Sequence, residues 1–457
     1  MHKKVFYLLF IILLVLITFS CRDKEGSPGI DYKEQIDEYL PVAQWKIADK
    51  LHGGRFGRLS YIWNQYQAGI RGTYAQIDKY DVNYSYLDES WEHIFIGANY
   101  RLDMVSGFAY ELNLPAYEGI AKILQAYLFS ITTDVFDDIP FYDASEIYAG
   151  RKAEYDDQET VYEGINSLIL DGISDLYKAI DTNSETPGPE VDYIYEGDLR
   201  KWIKAANVLR LRTTLKLSHQ KQDYNLTLSY INQLDMFDSN FDNLYFPYTI
   251  HEDIPNPFYT FDNNIGNLRV GEKIVDLLKD TDDPRLPEFV KKNYNQEYLG
   301  SGPGKSNQQA SYLGPGVASK TSPIYLITYA EQQFIKAEVY YRTGQKGNAL
   351  DAYKNGVAAS LEQYNVYDSD WLDENTDIED ITLEDIMNAK YIAMFLNPEA
   401  WADWRRTGYP QLDVAEGSVI NDKHPRRFLY PRIEHQHNSS NVPQDVEITD
   451  RVWWDVK

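Results

Sequence analysis

The sequence predicts an all-α protein in which tetratricopeptide-like helix pairs form a scaffold that carries long irregular loops. Apolar residues recur at helical spacing in several long stretches. Small residues recur at the spacing that lets two antiparallel helices approach closely, and the alternation typical of strands with paired turns is scarce. The chain has 457 residues, which is long enough to bury a core of its own.

The amino terminus has the pattern of an export signal that ends in a lipid-attachment site. Lys3 and Lys4 give a basic start, an apolar run follows over residues 5–17, and the small Ser20 precedes Cys21, the only cysteine. This run is shorter than the roughly 20 apolar residues of a membrane span, which stays open as the alternative. The predicted organisation is a signal peptide over residues 1–20, lipid attachment at Cys21, a tether over residues 21–30 and a single helical domain over residues 31–457.

The charge balance argues against nucleic acid as a partner. The chain has 44 basic and 70 acidic residues, a net charge of −26. Loss of the predicted signal peptide removes two lysines and leaves 42 basic residues, a net charge of −28. Such a protein repels phosphate backbones. With Cys21 acylated, no thiol remains for a disulfide or a thiolate metal site, so the fold depends on its core.

Three segments carry a clear helical stripe. The first follows Tyr117, with apolar residues at the spacing of one buried face: Ile120, Ile123, Leu124, Tyr127, Leu128 and Ile131. The other two stripes are Trp202, Ala206, Leu209 and Thr213, and Ile386, Lys390, Ala393 and Met394. Thr382 is predicted to cap the last of these helices together with Asp385. Residues rich in Gly, Pro, Ser and Asn predict irregular loops over 182–190 and 300–323.

Residues 329–361 match the tetratricopeptide helix pair. Its small and aromatic positions are occupied by Ala337, Tyr340, Gly344, Ala349, Tyr353 and Gly356. The position of the terminal proline is taken by Leu361. Because such pairs bury their faces against neighbours, we expect further, more degenerate pairs in the chain.

Seven sequence blocks, in order along nearly the whole predicted mature chain, resemble the SusD/RagB family of outer-membrane nutrient-binding lipoproteins, and its shorter branch most closely. The blocks are SWEHIFIGANY (90–100), DVFDDIPFYDA (134–144), RKWIKAANVLRLR (200–212), DDPRL (282–286), ITYAEQQFIKAE (327–338), WADWRRTGYP (401–410) and PRRFLYPRIEHQHN (425–438). The chain departs mildly from the family pattern, with Asp137 or Asp138 in place of a glycine and Phe141 in place of a tyrosine.

The resemblance implies a surface-exposed outer-membrane lipoprotein without enzymatic activity. Such a protein has four tetratricopeptide-like helix pairs and forms a lid over a SusC-like TonB-dependent transporter. It captures a glycan or related nutrient and needs no cofactor, and it meets the membrane through its lipid alone. An exported glycoside hydrolase and a tetratricopeptide-type protein-binding lipoprotein are the alternatives. Starch, host glycans, other polysaccharides and peptides all stay open as ligands.

The blocks that carry the resemblance are predicted to be structural. Asp403 can pair with Arg406 one turn later, and Gly408 can end that helix. Asn207 and Arg210 can satisfy buried loop carbonyls. The acidic cluster of Asp134, Asp137 and Asp138 is predicted to accept backbone amides in a turn, although it has the look of a catalytic group.

Two further motifs imitate ligand sites. GPGKS (302–306) resembles the end of a phosphate-binding loop, but Leu299 occupies the required first glycine position and Pro303 removes an amide donor. His435 and His437 alternate in a predicted extended segment and lack an evident third ligand.

A weak calcium candidate follows EF-hand spacing. It places Asp373, Asn375, Asp377 and Glu384 at loop positions 1, 3, 5 and 12. Ile378 stands where the sharp turn requires glycine, so an acidic linker is the simpler interpretation and no metal is predicted.

In the resembling family, loops build the binding platform, and the loop before the Ser90 block contributes to it. Here that loop offers ring faces and polar groups of the kind that bind sugars: Asp78, Tyr80, Asn83, Tyr84, Tyr86 and Asp88. The alternative is that its alternating tyrosines are one face of a short packed strand. Three tyrosines in or beside the long 300–323 loop are second candidates: Tyr298, Tyr312 and Tyr325.

Overall fold

The computed structural model describes residues 31–249 and 254–456. The predicted signal peptide, the lipid-attachment site Cys21 and the tether lie outside these residues. The start of the folded domain at residue 31 therefore stays a prediction.

Helices dominate the amino-terminal part of the described chain. The α-helices here are α1 (Tyr32–Trp45), α2 (Arg55–Trp63), α3 (Gly72–Ile77), α4 (Asp88–Glu92), α5 (Tyr100–Leu112), α6 (Pro115–Phe136), α7 (Ala144–Tyr148), α8 (Gln158–Thr182), α9 (Leu199–Lys221) and α10 (Asn225–Gln233). Two π-helical segments cover Lys46–His52 and His93–Asn99, and two 3₁₀ turns cover Tyr84–Leu87 and Asn240–Asp242.

The carboxyl-terminal part adds shorter helices joined by longer loops. Its α-helices are α11 (Pro257–Asn264), α12 (Glu272–Asp280), α13 (Leu286–Phe289), α14 (Pro315–Ala318), α15 (Tyr329–Arg342), α16 (Lys346–Gln363), α17 (Ser369–Thr376), α18 (Leu383–Ala393), α19 (Glu399–Thr407) and α20 (Arg432–His437). The predicted cap of α18 is confirmed, because Thr382 and Asp385 each accept the backbone N–H of the other.

Two small antiparallel sheets connect distant parts of the chain. In the first, β1 (Gln67–Gly69) pairs with β3 (Leu268–Val270). In the second, β2 (Leu244–Phe246) pairs with β4 (Ile324–Ile327). Strands are thus short and few in the described residues, and the predicted all-α class is confirmed.

Helix α6 lies at the centre of the molecule. The predicted stripe from Ile120 to Ile131 is buried, and most residues on the other faces of α6 are buried as well. Helix α6 packs closely on α8 where Gly119 faces Gly172. A Cβ atom on Gly119 would lie 2.8 Å from the Gly172 carbonyl oxygen, so only glycine allows the two backbones to approach this closely.

Tetratricopeptide-like pairing is confirmed in the segment where the sequence predicted it. Helices α15 and α16 pack along their lengths, and Gly344 joins them with a positive φ of 78°. Gly356 of α16 lies against the ring of Phe334, as expected of a small residue at the contact. Further helix pairs form between α1 and α5, α6 and α8, and α9 and α10.

Long irregular segments connect several of the helices in the described residues. The predicted irregular segment over residues 300–323 is confirmed, apart from the single short helix α14 within it. Among the described residues, no helix combines the length and the apolar character needed to cross a bilayer.

Candidate ligand-binding face

Pairing of β1 with β3 brings separate segments of the chain to one surface, which we call the loop face and define as residues 69–72, 258–270, 291 and 304–313. The backbone N–H of Ile70 donates to the Asn267 carbonyl at 3.0 Å, just beyond the strand pair. Val270 N–H donates to the Ser311 carbonyl at 2.9 Å, which ties the long 300–323 loop to the same sheet. Residues from three distant parts of the chain therefore share one surface.

Tyr312 is the aromatic residue that the loop face exposes, with 37% of its surface accessible. The Arg269 guanidinium lies 3.7 Å from the centroid of its ring. Arg269 is itself buried and donates through Nη1 to the carbonyls of Gly266, at 2.8 Å, and Leu268, at 2.7 Å. These bonds fix the guanidinium, and the guanidinium in turn holds the tyrosine ring at the surface.

A polar pair lies near enough to Arg269 for its cation to act on the guanidinium. Arg71, exposed, donates from Nη2 to Oε1 of the exposed Gln308 at 2.5 Å. An aromatic ring next to fixed hydrogen-bonding groups is the usual composition of a sugar-binding site. The sequence predicted Tyr312 but missed Arg71, Arg269 and Gln308, because their proximity depends on the pairing of two three-residue strands that no local motif marks.

Two carboxylates, the buried Asp78 and the half-buried Asp262, hold the loops of this surface in place. Asp262 accepts the backbone N–H of Leu313, next to Tyr312, and burial raises its pKa to about 7 against the opposing effect of Arg269, Arg58 and Lys291. Asp78 accepts the Gly304 N–H at 2.7 Å and also bonds the backbone of Gly69. Burial raises the pKa of Asp78, likewise to about 7. Both side chains connect segments of the loop face.

The predicted tyrosines of residues 78–88 are divided between core and surface. Tyr80 is buried, and its hydroxyl accepts the Ala415 N–H at 3.1 Å. Tyr86 is buried edge-on to Tyr74 at 6.3 Å between ring centroids. Tyr84 is 48% exposed and lies edge-on to His435 at 5.5 Å. Of these three rings, only that of Tyr84 is open to a ligand without movement of the loop.

The polar residues of the same loop make internal bonds. Asn83 caps the 3₁₀ turn Tyr84–Leu87 by accepting the Ser85 N–H at 2.9 Å, so the segment is not the short strand of the alternative interpretation. Asp88 accepts the Ile433 N–H and pairs with Arg432, both at 3.1 Å. These contacts fix the loop against α20. Ligand contact by Asp78, Tyr80, Asn83, Tyr86 and Asp88 stays a prediction.

The two remaining tyrosine candidates lie outside the loop face. Tyr298 is half-buried beneath Lys292, whose Nζ is 5.3 Å from the ring centroid. Tyr325 belongs to β4 and packs on Tyr245 and Tyr364, at 5.5 and 6.3 Å between centroids. A role for either in ligand contact also stays a prediction.

The motifs that imitate ligand sites are built into other structure. Helix α17 covers Asp373 and Asn375, and the Asn375 side chain donates to the Trp371 carbonyl at 2.9 Å, so the twelve-residue calcium loop does not form. The predicted extended segment at His435 and His437 is wrong, because both residues belong to helix α20. Residues 31–249 and 254–456 contain no cluster of three or more His, Cys, Asp or Glu side chains placed to hold a metal ion.

Four of the seven sequence blocks contribute to a buried network of charges, which we call the ionic core: Asp134, Arg212, Lys216, Glu331, Glu338, Lys390, Glu399, Asp403 and Arg406. Lys216 bonds both Asp134 and Glu399, the latter at 2.5 Å. Arg212 pairs with Glu331 at 2.5 Å. Each of these cations has a carboxylate partner, as burial of charge requires.

The second half of the ionic core joins α15, α18 and α19. Arg406 pairs with Glu338 at 2.5 Å and with Asp403 at 2.8 Å, which confirms the predicted pair one turn apart. Lys390 of α18 also pairs with Asp403, at 2.7 Å. The Glu338 carboxylate has a pKa held well below its ordinary value by Arg406 and Arg342, although burial opposes this.

Other block residues behave largely as predicted. Asp137 accepts the Trp453 N–H at 2.8 Å and Asp138 accepts the Gln158 N–H at 3.1 Å, which confirms their role as amide acceptors. For Asp134 that prediction is wrong, since Lys216, Tyr162 and Trp454 surround its carboxylate. Asn207 donates to the Asp235 carbonyl at 2.8 Å as predicted, and Gly408 ends α19 with a φ of 78°.

Arg210 differs from its prediction. It bonds the Asn166 side chain at 3.2 Å and the Tyr230 hydroxyl at 2.8 Å, and not a loop carbonyl.

Several proteins of known structure have a similar fold. The fold is similar to that of a chitin-binding SusD homologue from Flavobacterium johnsoniae, with 22% identity, 93% of this chain and 98% of that chain covered, and a TM-score of 0.77. A SusD homologue from Bacteroides uniformis gives 23% identity, 94% and 100% coverage, and a TM-score of 0.79. A SusD/RagB family protein from Bacteroides thetaiotaomicron gives 21% identity, with 93% of this chain and 99% of that chain covered and a TM-score of 0.77. At these identities the likeness establishes the fold.

Among curated proteins, no sequence matches this one. Residues 41–431 match the SusD-like family described as starch-binding and associating with the outer membrane. Because the match extends over most of the sequence, this chain belongs to the SusD-like family.

Proposed function

We propose that this protein is a lipid-anchored, surface-exposed outer-membrane protein that captures a glycan at the loop face and passes it to a SusC-like TonB-dependent transporter. A glycan-binding role is supported by the family, which is described as starch-binding, and by two structural neighbours that are named as chitin-binding. The signal pattern before Cys21 supports the anchor.

The observation that carries the proposal is the Tyr312 ring held at the surface by Arg269. A pyranose presents an apolar face and a rim of hydroxyls, so it needs a flat ring and polar groups at fixed positions. The loop face supplies the ring through Tyr312 and the polar groups through Arg71 and Gln308. Tyr84 offers a second open ring on the neighbouring loop.

Binding without catalysis fits the position of the carboxylates. Glycoside hydrolysis needs two carboxyl groups on either side of the scissile bond, with room for substrate between them. Asp134 and Glu399 are two carboxylates that lie close together, and they are buried and share the Lys216 ammonium. Neither side chain can reach a sugar without breaking the ionic core.

The test is calorimetric titration of the mature protein with chito- and malto-oligosaccharides, with the variant Tyr312→Ala alongside. Loss of one stacking ring should weaken binding about tenfold. Tyr177→Ala, which removes an exposed ring from α8, is the matched control and should bind as wild type does. Equal affinities for wild type and Tyr312→Ala would contradict the site.

Transfer to a transporter needs its own experiment. The native lipidated protein is isolated from outer membranes under mild detergent and its companions are identified by mass spectrometry. Recovery of a TonB-dependent transporter near equal stoichiometry is the expected result. Recovery of the protein alone, where a known complex of this type survives, would remove the transporter from the proposal.

A further inference from the structure

The loop face concentrates positive charge on a protein that is strongly acidic as a whole. The chain carries a net charge of −26, yet the loop face contains Arg71, Arg269, Lys291 and Lys305 against a single acidic residue, Asp262. Arg58 of α2 adds to this surface, because its guanidinium lies 3.9 Å from the centroid of the Phe261 ring. Within these segments basic residues thus outnumber acidic ones, whereas the chain as a whole is acidic.

Four of these cations act on the same small region. Arg58, Arg269 and Lys291 all lie near enough to Asp262 to oppose the rise of its pKa. Arg71 lies near enough to Arg269 to lower the pKa of the Arg269 guanidinium. Lys291 N–H also donates to the Tyr312 carbonyl at 3.0 Å, so this lysine is next to the exposed ring in space. Charges gathered this closely repel one another, which costs stability unless something offsets it.

No ion pair within the described residues offsets that repulsion. Among residues 31–249 and 254–456, neither Arg58, Arg71, Arg269 nor Lys291 has a carboxylate oxygen within 4.0 Å. Lys305 differs, since it pairs with Glu272 at 3.0 Å. Only 6% of the surface of Arg269 is exposed, and its Nε is buried without a hydrogen-bond partner among the described residues.

The one carboxylate in the region compensates only in part. Burial raises the pKa of Asp262 to about 7, so near neutral pH this side chain carries less than a full negative charge. Its oxygens also accept the Leu313 N–H. The surface around Tyr312 therefore lacks the anion that its cations would favour.

We propose that the loop face binds an acidic glycan, with a carboxylate or sulfate group held by Arg71 and Lys291 and a sugar ring stacked on Tyr312. Arg58 and Arg269 lie behind these contacts and supply the local positive potential. This inference rests on the proposed glycan-binding function and adds the class of ligand. The acidic remainder of the protein repels polyanions, so binding of one requires a specific site.

The experiment titrates the mature protein with four probes of equal chain length: oligogalacturonate, which bears carboxylates, chondroitin sulfate oligosaccharides, which also bear sulfate, and the neutral chito- and malto-oligosaccharides. Acidic probes are expected to bind at least about tenfold more tightly than neutral ones, since a charge-assisted hydrogen bond is stronger than a neutral one. Raising NaCl from about 50 to about 300 mM should weaken the acidic probe severalfold and leave neutral sugars unchanged.

Single-site variants locate the effect. Arg71→Gln and Lys291→Gln, both at exposed positions, should each lower affinity for the acidic probe by about tenfold. Lys178→Gln removes an exposed cation from α8 and should leave affinity within about twofold, which separates a local site from the change in net charge. Far-ultraviolet circular dichroism on each variant confirms that the fold is intact.

The outcomes distinguish this inference from the proposed function. Tight, salt-sensitive binding of an acidic probe that Arg71→Gln weakens supports both. Binding of neutral probes alone, lost in Tyr312→Ala, overturns the acidic ligand and leaves glycan capture standing. Failure of every probe to bind overturns the acidic ligand and also withdraws support from glycan capture at this face.

Discussion

The loop face and the ionic core use the same kinds of residue in opposite ways. In the ionic core, Arg406 and Lys216 are buried and each bonds two carboxylates. In the loop face, Arg71 and Lys291 are exposed and form no ion pair with the described residues. A buried charge must be paired inside the protein, whereas an exposed unpaired charge is available to a ligand.

The comparison also shows that the residues that identify the family differ from those proposed to select the ligand. Four of the seven blocks that reveal the family contribute to the ionic core, and WADWRRTGYP supplies Asp403 and Arg406, which hold α15, α18 and α19 together. The loop face contains none of the residues of the seven blocks. A family can therefore be evident from its scaffold while its ligand is set by residues that no block contains.

The largest expected effect breaks the ionic core. Glu338→Gln removes the carboxylate that pairs with Arg406 and Arg342 and leaves a buried guanidinium short of a partner. We expect the free energy of unfolding to fall by about 3–5 kcal/mol, measured by urea denaturation. Arg71→Gln in the loop face is the matched control and should change the free energy of unfolding by no more than about 0.5 kcal/mol. Similar losses of stability in both variants would contradict the distinction between a structural ionic core and a loop face open to ligand.

The next prediction concerns the helix pair of α15 and α16. A Cβ atom on Gly356 would lie 2.9 Å from the Phe334 ring, so Gly356→Ala should cost about 1–3 kcal/mol through overpacking. A Cβ atom on Gly347, in the same helix, meets nothing within 4 Å. Gly347→Ala should instead gain about 0.5 kcal/mol from helix propensity. Thermal or urea unfolding of the two variants checks the opposite signs.

A third prediction uses pH to compare carboxylates in the two regions. Burial raises the folded-state pKa of Asp78 from about 4, its ordinary value, to about 7. Between these values the folded state binds a proton that the unfolded state releases, so the free energy of unfolding falls as pH rises. Asp78→Asn should remove this slope, worth about 2 kcal/mol between about pH 5 and pH 8.

Glu338 should show the opposite sign. Its folded-state pKa is lowered, so its contribution is present above the unfolded-state pKa and is lost as pH falls below it. Urea midpoints of wild type, Asp78→Asn and Glu338→Gln across the pH range test both statements. A stability gap between wild type and Asp78→Asn that is independent of pH would contradict the account of Asp78.

A smaller loss of stability than those of Glu338→Gln and Gly356→Ala is expected for Tyr312→Ala. The ring is partly exposed and contributes mainly its contact with Arg269, so the free energy of unfolding should fall by about 0.5–1 kcal/mol. The same change should weaken glycan binding about tenfold. A large loss of stability in this variant would show that Tyr312 serves the fold more than the ligand.

Helical spacing made much of the scaffold predictable from sequence. The stripe around Leu124, the cap at Thr382 and the small residue at Gly356 each follow a pattern within one helix or one pair of consecutive helices, and the structure confirms them. Composition alone could not show which tyrosines are buried, because Tyr80 and Tyr84 differ in exposure although both lie in one short loop. The loop face depends on pairing β1 with β3, a contact between distant segments that no periodicity reveals.

Hydrogen–deuterium exchange of the mature protein, with and without an oligosaccharide that it binds, tests the central claim most directly. The account predicts that ligand slows exchange in peptides covering residues 69–72, 262–269 and 308–313, and leaves α15 and α19 unchanged. Slowed exchange confined to the helix pairs, with the loop face unaffected, would contradict it and would place the ligand on the tetratricopeptide-like scaffold.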